Sequence, residues 1–140
     1  MRLVAQDWLS QLRGQGYRVT DARLAVVETM ADASHALTPL EVYDQARKKY
    51  SALGLVTVYR TLEKLEELQL VQRVHQREGC QAFIASYAGH QHLLLCQSCG
   101  QVIYFDGDDL NPLMASLARK TGFQIEEHWL QLFGLCKECK

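Results

Sequence analysis

Gly54-Leu55-Val56-Thr57-Val58-Tyr59-Arg60-Thr61-Leu62-Glu63-Lys64-Leu65 is the stretch on which the reading of this chain turns. Val58, Leu62 and Leu65 recur at i, i+4 and i+7, the stripe that one side of an α-helix turns toward a core, which predicts a helix over 56–68. The opposite face carries Thr57, Tyr59, Arg60, Thr61 and Lys64. Arginine can bond guanine edges or phosphate, tyrosine and threonine can meet a thymine methyl group, and lysine meets phosphate. By itself such a face serves equally as a solvated surface, because Glu63, Glu66 and Glu67 share the helix.

The flanking segments decide between these readings. Trp8, Leu9 and Leu12 predict a helix over 5–12, stopped by Gly14 and Gly16. Leu24, Val27 and Met30 predict another over 21–31, with Arg18 and Arg23 flanking its start, where backbone or minor-groove contacts would be made. Thr38-Pro39-Leu40-Glu41 is a start signal: Thr38 can cap, Pro39 suits the first turn, and Glu41 completes a capping box. That helix is expected to run to about Tyr50. Two β-prone runs, 70–75 and 81–85, surround residues 76–80 as a hairpin would. Helix, helix, turn, helix, hairpin is the order of a winged helix-turn-helix.

The second part of the chain is patterned differently. Runs at 92–95, 101–105 and 124–133 read as strands. A helix over 108–121 has Arg119 and Lys120 in its last turn and Gly122 just beyond. The expected fold is therefore α+β: a winged helix-turn-helix domain over 1–85, a hinge at about 78–90, and a small α/β domain over 90–140. A unit that small needs a staple or a partner subunit.

The staple is visible in the cysteines. Cys96-Gln97-Ser98-Cys99 and Cys136-Lys137-Glu138-Cys139 supply four soft thiolates, which a tetrahedral Zn²⁺ satisfies completely, so the site is structural and has no open position for catalysis. Closing it requires the strand–helix–strand unit to fold back on itself. A second donor set comprises Cys80, His75, His90, His92 and His128, with Asp106, Asp108 and Asp109 nearby in sequence. His90-Gln91-His92 places both imidazoles on one face of an extended segment, which suits one shared ion. With Cys80 and His75 on the expected wing, that ion would tie the two domains together. His35 reads as loop. No HExxH and no HxE are present, and no catalytic residue is expected.

The 140 residues are 48% apolar and 22% charged, an ordinary globular composition with a net charge of −1. Residues 1–80 balance to +1 and residues 81–140 to −2. Such a charge excludes a globally basic nucleic-acid coat, so DNA binding has to be conditional or dimeric. With no signal-peptide h-region and no bilayer-length apolar run, the expectation is a cytoplasmic protein with no membrane partner.

The string 54–62, preceded by Tyr17-Arg18-Val19-Thr20 and followed by His90-x-His92 and the two CxxC pairs, resembles the ferric uptake regulator family over nearly the whole chain. The resemblance implies a homodimeric, metal-responsive transcriptional regulator, usually a repressor. Its winged helix would bind AT-rich inverted repeats in double-stranded DNA, its C-terminal domain would dimerise, and no small-molecule substrate is expected. It implies Tyr59 and Arg60 on the recognition helix and Arg18 as a basic minor-groove residue. Cys96, Cys99, Cys136 and Cys139 fall on the structural zinc ligands, and His90, His92 and His128 on metal-binding histidine segments near the hinge. The carboxylate expected on the strand before His90 is missing, for that strand reads Cys80-Gln81-Ala82-Phe83-Ile84. A thiolate in place of a carboxylate moves a site from iron toward zinc. The favoured reading is a zinc uptake regulator whose regulatory metal is Zn²⁺. An iron-responsive repressor is second and a peroxide sensor third, with a zinc-stabilised protein-interaction module as the rival from another class.

Overall fold

The structure, a computed structural model, describes residues 2–75, 81–86, 91–106 and 110–140. They divide into two units, residues 1–87 and 88–140.

The first unit contains α1 (Arg2–Gly14), α2 (Asp21–Asp32), α3 (Pro39–Ala46), α4 (Leu55–Glu67), β1 (Val71–His75) and β2 (Gln81–Ala85). Trp8 and Leu12 of α1, Val26, Val27 and Met30 of α2, Val42 and Ala46 of α3 and Val58, Leu62 and Leu65 of α4 enclose one core. Gly16 ends α1 with φ 84° while the Tyr17 amide reaches back to the Leu12 carbonyl at 3.0 Å, the wrap-around a glycine permits. Thr20 caps α2 by accepting from the Arg23 amide. At α3 the capping box is closed: the Thr38 amide donates to the Glu41 carboxylate at 2.9 Å, and the Glu41 amide to the Thr38 hydroxyl at 3.3 Å.

This helix is shorter than its pattern suggests. It stops at Ala46, where the amides of Lys48 and Lys49 turn to carbonyls three residues back. α4 ends on Gln69 with φ 59°, the non-glycine residue with a left-handed backbone among the described residues. β1 and β2 pair antiparallel from Val71↔Ala85 to His75↔Gln81. Leu37 and Phe83 exchange backbone hydrogen bonds at 2.9 and 2.8 Å, seating the hairpin on the segment before α3.

The second unit is a three-stranded sheet of order β4-β3-β5, with β3 (Gln91–Cys96), β4 (Val102–Asp106) and β5 (Gln131–Gly134), plus α5 (Asn111–Thr121). β4 runs antiparallel to β3 and β5 parallel to it, from Leu93↔Gln131 to Cys96↔Gly134. The strand expected over 124–133 forms only at its end. Alternating apolar residues set a pattern, but a strand exists only where a neighbour takes its backbone groups, and the ladder on β3 begins at Leu93. α5 stops at Gly122 (φ 74°), whose amide bonds the Ala118 carbonyl at 2.9 Å, and it contains no buried residue.

Candidate metal centre and nucleic-acid interface

Parallel pairing sets the C-terminal ends of β3 and β5 side by side, so the loop that follows each strand meets the other. The Gln97 amide donates to the Gly134 carbonyl at 2.8 Å, fastening the first loop to β5. Gly100 turns that loop with φ 79° and donates to the Cys96 carbonyl at 3.0 Å. In the second loop the amides of Cys139 and Lys140 both reach the Cys136 carbonyl. The outcome is a cage in which the ligand atoms of Cys96, Cys99, Cys136 and Cys139 lie within 4.8 Å of one another.

The sulfurs of Cys99 and Cys136 are 3.8 Å apart. Four thiolates about 2.3 Å from a tetrahedral zinc stand about 3.8 Å from each other, so the donor set and its spacing fit that ion. The cage also organises the thiols electrostatically. Amides of Cys99 and Cys136, with that of Ser98, favour the Cys96 thiolate over some burial and lower its pKa to about 6. The Cys136 amide lies 3.3 Å from that sulfur. For Cys99 the Gln101 amide favours ionisation, yet the thiols of Cys96 and Cys136 and partial burial outweigh it and hold the group above its ordinary value. At Cys139 the Ser98 side chain acts in the same stabilising sense, but the thiols of Cys136, Cys96 and Cys99 prevail and push it up to about 12. Four thiols this close cannot all ionise on their own, and a divalent cation removes the conflict.

Of the second donor set, the structure brings two together within residues 88–140. His92 on β3 is buried, with its ring centroid 5.6 Å from that of Phe105, its partner across the ladder, and 5.3 Å from that of His128. His75 is exposed at the end of β1 in the other unit. Cys80, His90, Asp108 and Asp109 lie outside the described residues. Among the described residues the four-cysteine cage is the group of three or more donors placed to hold an ion.

The outward face of α4 is narrower than its sequence suggests. Tyr59 and Arg60 are exposed, Thr57 is half-buried, and Thr61 is fully buried. Thr61 is corrected from a DNA contact to a core residue: 58, 61, 62 and 65 share the inner stripe, and its hydroxyl donates to the Thr57 carbonyl at 2.7 Å. The Lys64 ammonium stands 4.7 Å from the Tyr17 ring centroid, so this lysine braces α4 against the segment after α1. Arg23 folds back to donate to the Arg18 carbonyl at 2.6 Å, which shapes that loop and leaves Arg18 exposed. The hairpin is tied to the same helix: Arg73 on β1 pairs with Glu66 of α4 at 2.6 Å, bonds Gln81 on β2, and lies over the Phe83 ring.

One exposed residue of α4 was missed in the sequence. Val56 is 62% exposed beside Tyr59 at 52%. Its place two residues before Val58, off the inner stripe, is the signal that could have found it.

Similarity to known proteins agrees with this geometry. The sequence profile of the ferric uptake regulator family matches residues 14–133. The ferric uptake regulation protein of Shigella flexneri is 30% identical over 91% of this chain and 86% of its own length. The peroxide operon regulator of Bacillus subtilis is 28% identical over 96% and 92%. Among solved structures, a zinc uptake regulator complexed with zinc and DNA superimposes with a TM-score of 0.73 at 25% identity, covering 98% of this chain and 92% of that one.

Proposed function

The chain belongs to the ferric uptake regulator family, a family of metal-responsive transcriptional regulators, and on that premise we propose that it represses metal-uptake genes in response to zinc. It would bind AT-rich inverted repeats as a cytoplasmic homodimer. The observation that carries the DNA-binding part is the edge of α4, where Tyr59 and Arg60 project from a helix whose other side is sealed into the core. Arg18 and Thr57 would add contacts beside them.

Residues 88–140 supply the proposed dimer face. Leu113, Leu117, Trp129, Phe133 and Leu135 are all exposed there, more apolar surface than a domain of this size keeps in water. Two copies place two recognition helices on two half-sites and double the number of phosphates met. Cys96, Cys99, Cys136 and Cys139 would hold the structural zinc.

The regulatory ion would be held by His92 and His128 with Cys80 and His90, and His75 and Asp109 are further candidates. Its action is a population shift, whose size equals its differential affinity for DNA-competent and incompetent states. A thiolate among imidazoles favours Zn²⁺, and β2 offers no carboxylate in Gln81–Ala85. Iron is the second reading, favoured by the ferric uptake regulation protein at 30% identity.

Fluorescence anisotropy on AT-rich inverted-repeat duplexes separates these readings, with free Zn²⁺ and Fe²⁺ buffered independently and the structural zinc retained. Tight binding at trace free zinc is expected, weakened at least tenfold by Arg60→Ala and made metal-insensitive by Cys80→Ser. Binding driven by iron alone returns the protein to iron control. Absence of binding with either metal leaves a protein-interaction module, which Arg60→Ala would not disturb.

A further inference from the structure

Four large apolar side chains are exposed among the described residues of 1–87, and two of them, Val56 and Tyr59, are neighbours on the outer face of α4. Val56, Tyr59, Arg60 and Glu63 follow i, i+3, i+4 and i+7, one continuous edge. The fold does not account for the valine. It sits outside the sealed stripe of Val58, Thr61, Leu62 and Leu65, in the first turn, and a β-branched residue is a poorer helix former than the alternatives. It does lie at the end of the helix that a helix-turn-helix protein directs at base edges.

We infer that Val56 is a specificity-determining residue whose isopropyl group meets the 5-methyl group of a thymine in the major groove. The inference rests on the DNA-binding reading above and adds a base to it. Apolar contact with that methyl tells thymine from cytosine, which presents an amino group there instead. With Thr61 in the core and Thr57 half-buried, Val56 and Tyr59 are the exposed apolar side chains that α4 offers for such contacts. The occupant follows from the neighbours as well: the adjoining Arg60 guanidinium is exposed and suits a guanine edge. Val56 and Arg60 lie about one helical turn apart, so the thymine and the guanine they read are expected within the same half-site.

The test uses the full-length, zinc-loaded protein on an inverted-repeat duplex recovered by in vitro selection on the protein itself. Each thymine is replaced in turn by deoxyuridine, which removes only the methyl group. Wild-type protein is expected to lose roughly fourfold in affinity per half-site at the position Val56 reads, the factor for one buried methyl, besides any loss at a thymine met by Tyr59. Val56→Ala should bind the unmodified duplex more weakly by a similar factor and be indifferent to deoxyuridine there, while retaining sensitivity elsewhere. Val56→Ile should keep the penalty. Unchanged melting temperature and zinc content show that both variants are folded. A deoxyuridine penalty in Val56→Ala equal to that of wild type at every position overturns the inference while leaving DNA binding intact. Failure of the wild-type protein to select or bind any duplex overturns the DNA-binding reading, and the role of Val56 with it.

Discussion

Leu12, Met30, Leu62 and Leu65 in residues 1–87 are all 1% exposed or less, whereas α5 in residues 88–140 buries nothing. Of the large apolar side chains exposed among the described residues, Leu3, Leu40, Val56 and Tyr59 are the first unit's. The second exposes Leu94, Ile103, Leu113, Leu117, Phe123, Ile125, Trp129, Leu132, Phe133 and Leu135. The first unit thus closes a core with its own helices. The second, we propose, depends on what it binds: a metal at one end and another copy of itself over the apolar face. A regulator of the proposed kind would gain from that division: a part that reads DNA would keep its shape, and a part that binds metal would have stability to gain from the ion.

Removing the structural metal should produce the largest effect and the sharpest contrast. Zinc contributes about 10–16 kcal/mol in small zinc-finger peptides, as much as a typical domain's whole stability. Chelation, or Cys99→Ser, is expected to abolish amide-exchange protection in β3 and β5 while leaving α2, α4 and β1 protected. Loss across both units together would break the comparison. The pH dependence has a definite sign. Cys96, lowered to about 6, favours the metal-free cage above the ordinary thiol range, and that contribution is lost as pH falls through about 6. Cys139, raised to about 12, favours it below that range and loses its contribution only as pH rises toward 12. Protons therefore compete with the metal on acidification, and zinc affinity, read against a colorimetric chelator, should fall as pH is lowered.

Truncation within the sealed core is the next test. Leu62→Ala should cost about 2–5 kcal/mol, read by urea unfolding, because the side chain is 1% exposed in the core that α4 shares with α2 and α3. Zinc stoichiometry should stay unchanged, since the cage lies wholly in residues 88–140. A cost well below 1 kcal/mol would mean that α4 is not held by its inner stripe.

How far these features were legible depends on whether their cause is local. The capping box of Thr38 and Glu41 is written in four adjacent residues, and it is present in the structure. The CxxC pairs were legible because thiolate chemistry demands a metal, although their meeting depends on a parallel ladder no short motif states. Thr61 was misread because a threonine matches an outward face in composition, while the spacing 58, 61, 62, 65 assigns it to the core. The strand over 124–133 was overextended because alternation records which side would be buried, not whether a neighbouring strand is there. The end of α3 depends on a turn with no glycine or proline in 47–50 to mark it.

Gln69 supplies the smallest effect. The Leu70 amide reaches the Leu65 carbonyl at 2.8 Å and the Gln69 amide the Glu66 carbonyl at 2.9 Å, the wrap-around that also ends α1. There the left-handed position is Gly16; here it is a glutamine with φ 59°, where its Cβ crowds the backbone. Gln69→Gly removes that crowding, against the greater freedom glycine has when unfolded. The balance is expected to favour the folded state by about 0.5–1 kcal/mol, raising the melting temperature of residues 1–87 by a few degrees. The turn also delivers the chain from α4 into β1, whose Arg73 reaches back to Glu66. If Gln69→Gly raised the melting temperature yet weakened DNA binding, the stiffness of this turn would be part of how the hairpin is set beside the recognition helix. Equal affinity would confine Gln69 to stability.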